Sequence, residues 1–187
     1  MTSSRIAWRS GEHGYGLIAK TLHWTVAGAI ASQFVVGYVM EADSSGRGRG
    51  RGRGRSGESG RGRGRGRGGD YELFGDDALL TVHVVLGATI LALAVVRLVW
   101  RVTTPLPPWA ATLSRSERRL AHLTERTLYV LMFVIPTSGL LVVTTGGDYL
   151  AAHIASHVAF FIVIAIHVGL VLKHQFVDRD HLLRRML

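Results

Sequence analysis

The chain has 187 residues, 48% of them hydrophobic, with 22 Lys+Arg against 13 Asp+Glu and no cysteine. That length allows one domain. The missing thiol excludes disulfides, thiolate nucleophiles, cysteine-held iron–sulfur clusters and cysteine zinc sites, which leaves histidine, present nine times, as the candidate metal ligand. The basic excess is local: Ser44 to Gly69 holds nine arginines and one acid, Glu58, a net of +8, whereas the rest of the chain sums to +1. A pervasive nucleic-acid-binding surface is therefore excluded, and no nucleic-acid partner is expected.

A bilayer core takes about 20 mostly apolar residues in a helix. In chain order, residues 1–16 are a short basic segment and 17–40 a first span. Residues 41–77 are a loop containing the Arg-Gly stretch 44–69, and 78–101 a second span. A basic link, 102–119, leads to a third span, 120–145, and a short loop, 146–150, to a fourth, 151–177. A tail, 178–187, closes the chain. The spans are apolar on nearly all sides, whereas the helices of a water-soluble bundle would each show a broad polar face. The fold class is all-α, an integral membrane four-helix bundle. A signal-peptidase site at Ala29-Ile30-Ala31 is the rival reading of the first span, but His23 and Trp24 interrupt its apolar core and the run continues to Met40.

The basic residues flanking the spans set the orientation. Arg5, Arg9 and Lys20 precede span one; Arg97, Arg101, Arg115, Arg118, Arg119 and Arg126 surround the 102–119 link; Lys173, Arg179, Arg184 and Arg185 follow span four. Thr144 to Ala152 has none. Both termini are expected in the cytoplasm, with the protein multi-pass in the membrane. The Arg-Gly loop then lies outside, against the positive-inside rule. Alternating Arg and Gly supplies no core and should be disordered, serving as a flexible tether or as a cationic patch that steers anions or an acidic partner to the outer face.

An ionisable side chain inside a span is a functional hypothesis by default. His23 lies near the inner face, His83 and His153 near the outer face, and His167 follows His153 by 14 residues, which is about 40° short of four full turns and a climb of roughly 21 Å. Span four thus offers one imidazole at each depth, and His23 can meet His167 while His83 meets His153. Two stacked bis-histidine sites suit two b-type haems, whose iron takes two axial imidazoles and whose flat macrocycle needs an apolar slot between helices. Ala27, Gly28, Ala31, Gly87, Ala88, Ala165 and Gly169 are small enough to make that slot. His153 and His157 also form an HxxxH pair, so a histidine-based metal transporter is the competing reading; His157 is otherwise a neighbour of the outer site or a proton carrier.

Several motifs together resemble the prokaryotic cytochrome b561 family. These are Thr21-Leu22-His23-Trp24, His83-Val84-Val85-Leu86-Gly87, and Val95-Val96-Arg97-Leu98-Val99-Trp100-Arg101 with Pro105, Pro107 and Pro108. Further along come Ala121-His122-Leu123, Tyr129, Pro136 with Gly139, then His153, His167 and His174, and the tail Asp180-His181-Leu182-Leu183-Arg184-Arg185-Met186. The resemblance covers nearly the whole chain outside the Arg-Gly insert, and it implies His23, His83, His153 and His167 as axial ligands of two haems b. It also implies electron exchange with quinone. The outer electron donor would be superoxide, as in the superoxide-oxidase branch, or a soluble redox protein such as a dehydrogenase or hydrogenase to which the chain docks. Arg97, Arg101, His122, Lys173 and His174 are candidate contacts to haem propionates or quinone, with ordinary positive-inside flanking as the alternative for the arginines and Lys173. Pro136, three residues before Gly139, is expected to kink span three and open room beside the outer site; Trp24, Trp100 and Trp109 are candidate interface anchors. Oligomeric state is open.

Overall fold

The computed structural model describes residues 8, 10, 11, 14–49, 78–108, 112–145, 147–180 and 186. Four helices follow one another: α1 (Leu17–Arg49), α2 (Ala78–Thr103), α3 (Arg115–Thr144) and α4 (Leu150–Leu172), the last ending in a π-helical turn, Lys173–Val177. Each contains a stretch long and apolar enough to cross a membrane, and there is no strand among the described residues. The architecture is an all-α membrane bundle.

Local chemistry sets where each helix starts and stops. α3 begins five residues before Leu120 because Ser114 caps it: the Ser114 hydroxyl accepts from the Glu117 amide while the Glu117 carboxylate accepts from the Ser114 amide, a reciprocal capping box that satisfies two otherwise orphaned donors. α1 continues past Met40 to Arg49, so the backbone of residues 44–49 is helical where disorder was expected. A helix already nucleated over an apolar run gains one hydrogen bond per residue added, here against a cost of roughly 1 kcal/mol each for Gly46 and Gly48. The remainder of the Arg-Gly stretch, Trp109 and residues 181–185 lie outside the described residues.

The helices pack in chain order, α1 on α2, α2 on α3 and α3 on α4, whereas no Cα of α1 lies within 8 Å of one in α4. Val26 of α1, Ala94 of α2 and Met132 of α3 form a buried cluster with Ile30, Leu93 and Phe133 around it. Outward-facing positions are also apolar, among them Val35, Val85, Val96, Leu123, Val130, Ile154 and Ile162, each about half exposed or more. Water would penalise such a surface and hydrocarbon does not. Polar groups turn back onto the helix backbone instead: the hydroxyls of Ser32 and Thr89 donate to carbonyls four residues earlier. The tail returns to the start of α1, where the Trp24 indole N–H donates to the Met186 carbonyl at 2.9 Å. α1 starts and α4 ends at this N-terminal end; the opposite one, with the turn residues 145 and 147–149, is the loop end.

Candidate functional site

Helix periodicity brings the intramembrane histidines into two groups. At the N-terminal half, His23 of α1 lies within electrostatic range of His167 of α4, and Arg97 of α2 acts on both. At the loop half, His83 of α2 lies within range of His153 of α4, and His157 within range of both. His153 and His157 are one turn apart, with ring centroids 4.3 Å from each other. The electrostatic neighbours at each level thus come from different helices.

The loop-end pair is closely fitted. Ser138 of α3, buried at 7% exposure, places its Oγ 3.0 Å from His153 Nδ1. Beside it, a Cβ on Gly139 would lie 2.9 Å from His153 Cε1, closer than real Cβ contacts allow, so only glycine lets the ring approach α3. Gly37 of α1 does the same for His83 more loosely, at 3.3 Å from Cε1, and Gln33 one turn earlier donates from Nε2 to the His83 carbonyl at 3.0 Å. His83 Nδ1 and Gln33 Oε1 are buried with no hydrogen-bond partner among the described residues. Phe34 crosses from α1 to α4, meeting Phe161 at 4.5 Å, Phe160 at 5.6 Å and His157 at 5.3 Å between ring centroids. Of the small residues expected to shape a slot, Gly28 and Gly169 have no atom within 4 Å of a built Cβ, while the Cβ position of Gly87 is 3.5 Å from Gln33 Nε2.

At the N-terminal end the five basic candidates have distinct surroundings. Arg97 Nε donates to the Tyr129 hydroxyl at 3.2 Å, and its guanidinium sits 5.8 Å from that ring's centroid. Among the described residues Arg97 forms no ion pair with a carboxylate. Arg101 is bound by both oxygens of Glu125, at 2.8 and 3.1 Å, the fork-to-carboxylate geometry that lysine cannot make. Lys173 Nζ bridges Glu117 and Asp178 at 2.6 and 2.7 Å. His174, 1% exposed, turns Nδ1 to Asp180 at 2.9 Å and Asp178 at 3.0 Å, and its buried Nε2 has no hydrogen-bond partner. Glu117, His174 and Asp178 are close enough to share a metal ion, but the Lys173 ammonium already stands between the two carboxylates as their cation. His122 lines a cavity of about 770 Å³ between α2 and α3, with Leu98, Arg101, Val102, Arg126 and Tyr129 around it.

Sequence reasoning missed Glu125, Gln33, Phe34, Gly37 and Ser138. For Glu125 a signal existed, since an acid inside a span needs a compensating base. The others act through contacts between helices, which one-helix periodicity does not report.

The two histidine levels within an apolar four-helix bundle carry the ligand chemistry of a membrane cytochrome b, since imidazole is the axial donor such haems take. The prokaryotic cytochrome b561 family model matches residues 14–187, and the chain belongs to that family of membrane haem proteins that move electrons. Cytochrome b562 of Cereibacter sphaeroides is 27% identical over 178 residues, covering 94% of this chain and 96% of that protein. Cytochrome b561 homolog 2 of Escherichia coli K12 is 29% identical over 131 residues, 56% of this chain and 68% of that one.

Proposed function

We propose that the chain holds two b haems, an inner one between His23 and His167 and an outer one between His83 and His153, and passes electrons between a donor at the outer face and quinone. The observation that carries this reading is the spacing of His153 and His167 on α4, which pairs each with a histidine of a different helix. The donor set fits the group: imidazoles from separate helices, a helix pair, α1 and α4, kept apart at the backbone, and glycines where the rings of His83 and His153 lie. Haem supplies the one-electron chemistry when bound. The protein's own share is to orient the imidazoles, exclude water and offer charge to anionic groups. Arg97 is the foremost candidate for a propionate, because its partner is neutral.

The cavity beside His122 suits a quinone. Leu98, Val102 and Val130 line its apolar part for an isoprenoid tail, and Tyr129 and His122 present hydrogen-bonding groups for ring oxygens. His122 can also carry protons. In this reading the N-terminal end faces the cytoplasm, supported by the basic flanks, and the membrane is the bacterial inner membrane, supported by the prokaryotic family. The outer donor is superoxide or a soluble redox protein. Purified protein assayed as the pyridine haemochrome should give two haems b per chain; one haem or none would refute the paired sites.

A further inference from the structure

Ser138 has one hydroxyl hydrogen and two neighbours. Its Oγ is 2.9 Å from the Ile135 carbonyl, which can only accept, and 3.0 Å from His153 Nδ1. When the hydrogen goes to Ile135, whose carbonyl also lies within hydrogen-bonding reach of His153, the oxygen acts as acceptor toward the imidazole. His153 Nδ1 must then carry a proton, and the lone pair resides on Nε2. That is the tautomer a metal-binding histidine needs when it ligates through Nε2, and a hydrogen bond from the other ring nitrogen both fixes the ring and raises its basicity. The neighbouring Gly139 leaves no room for a Cβ beside the same ring. His83 lacks this support, for its Nδ1 is buried with no hydrogen-bond partner.

We infer that Ser138 is a positioning residue for the outer haem, holding His153 in the Nδ1-protonated tautomer and making it the stronger donor of its pair. The inference rests on the haem reading above and extends it to one side chain outside the ligand set. Its consequence is electronic. Removing the acceptor leaves the Nδ1 proton more firmly held and Nε2 poorer in electrons, which destabilises the ferric form and raises the potential of that haem alone.

The test is a redox titration with low-temperature EPR of the purified dihaem protein and of Ser138→Ala, Ser138→Thr and Thr137→Ala. Thr137 is the exposed neighbour and serves as control. Ser138→Ala should move one of two midpoint potentials upward and shift the low-spin g value of the same haem, leaving the other haem unchanged. Ser138→Thr, which keeps the hydroxyl, should restore both readings, and Thr137→Ala should move neither. If Ser138→Ala lost the outer haem outright, retention at the native potential in Ser138→Thr would support the same role, whereas loss in both variants would overturn it. Two bound haems with unmoved potentials and g values in Ser138→Ala would also overturn it. A wild-type protein whose haem content is unaffected by His153→Ala would instead sink the haem reading beneath it, so the two failures are distinct.

Discussion

Phe34 of α1 reaches Phe161 of α4 ring to ring, 4.5 Å between centroids, across a gap that the two backbones do not close. Together with Phe160 and His157 it forms an aromatic bridge that reaches His153 through the His157 ring. A bundle whose first and last helices met along their whole length would have no slot between them. Here the contact is made by large side chains, so separation and cohesion coexist.

Phe34→Ala should therefore loosen the bundle without removing a ligand. A fully buried Phe→Ala change costs about 3–5 kcal/mol; for a half-buried ring roughly 1–2 kcal/mol is expected. Thermal unfolding in detergent reads this as a lower Tm, with the outer haem released before the inner one. An unchanged Tm would mean that the aromatic contacts contribute nothing to holding α1 and α4 together.

Gly139→Ala tests how tightly the loop-end ring is seated. The added methyl would stand 2.9 Å from His153 Cε1, so either the ring or α3 must move. Haem content should fall from two toward one per chain, with the inner haem's spectrum intact. Full occupancy of both sites would show that the approach of His153 to α3 is dispensable.

The ion pair of Arg101 and Glu125 separates structural from functional charge. Both side chains are about one-quarter to one-third exposed, between the surface and buried regimes. Losing one partner strands a charge at the edge of the hydrocarbon, so Glu125→Gln should destabilise by about 1–2 kcal/mol. Lys173→Met, at the more exposed bridge of 44% side-chain exposure, should cost less than Glu125→Gln. A double-mutant cycle of Arg101→Gln with Glu125→Gln should show a coupling close to the single loss. Additive effects would mean that Arg101 acts elsewhere.

Orientation has a direct chemical test because the native chain has no cysteine. With the N-terminal end in the cytoplasm, Asp148→Cys should react with a membrane-impermeant thiol reagent on intact spheroplasts and Ser116→Cys only after lysis. The opposite pattern inverts the topology.

The four spans were legible in the sequence because apolar length and helix periodicity are properties of one segment at a time. The start of α3 was legible in principle, since Ser114 and Glu117 spell a capping box, but the apolar run alone placed it at Leu120. Ser138 and Phe34 were not legible: what they do depends on the rotation and offset of one helix against another. Pro136 and Gly139 announced a special place in span three, yet which ring would occupy it emerged only when α3 and α4 were packed. Lys173 and His174 read as candidate propionate or quinone contacts, because Glu117, up to 57 positions away along the chain, is brought beside them only by the fold.

The central claim is that one histidine pair holds each of two haems, and the measurement that tests it most directly is the reduced-minus-oxidised spectrum of the four single variants His23→Ala, His83→Ala, His153→Ala and His167→Ala. The account predicts two classes, one spectral component missing from both His23→Ala and His167→Ala and the other from both His83→Ala and His153→Ala. Loss of the same component from His83→Ala and His167→Ala, with the other component kept in both, would contradict it.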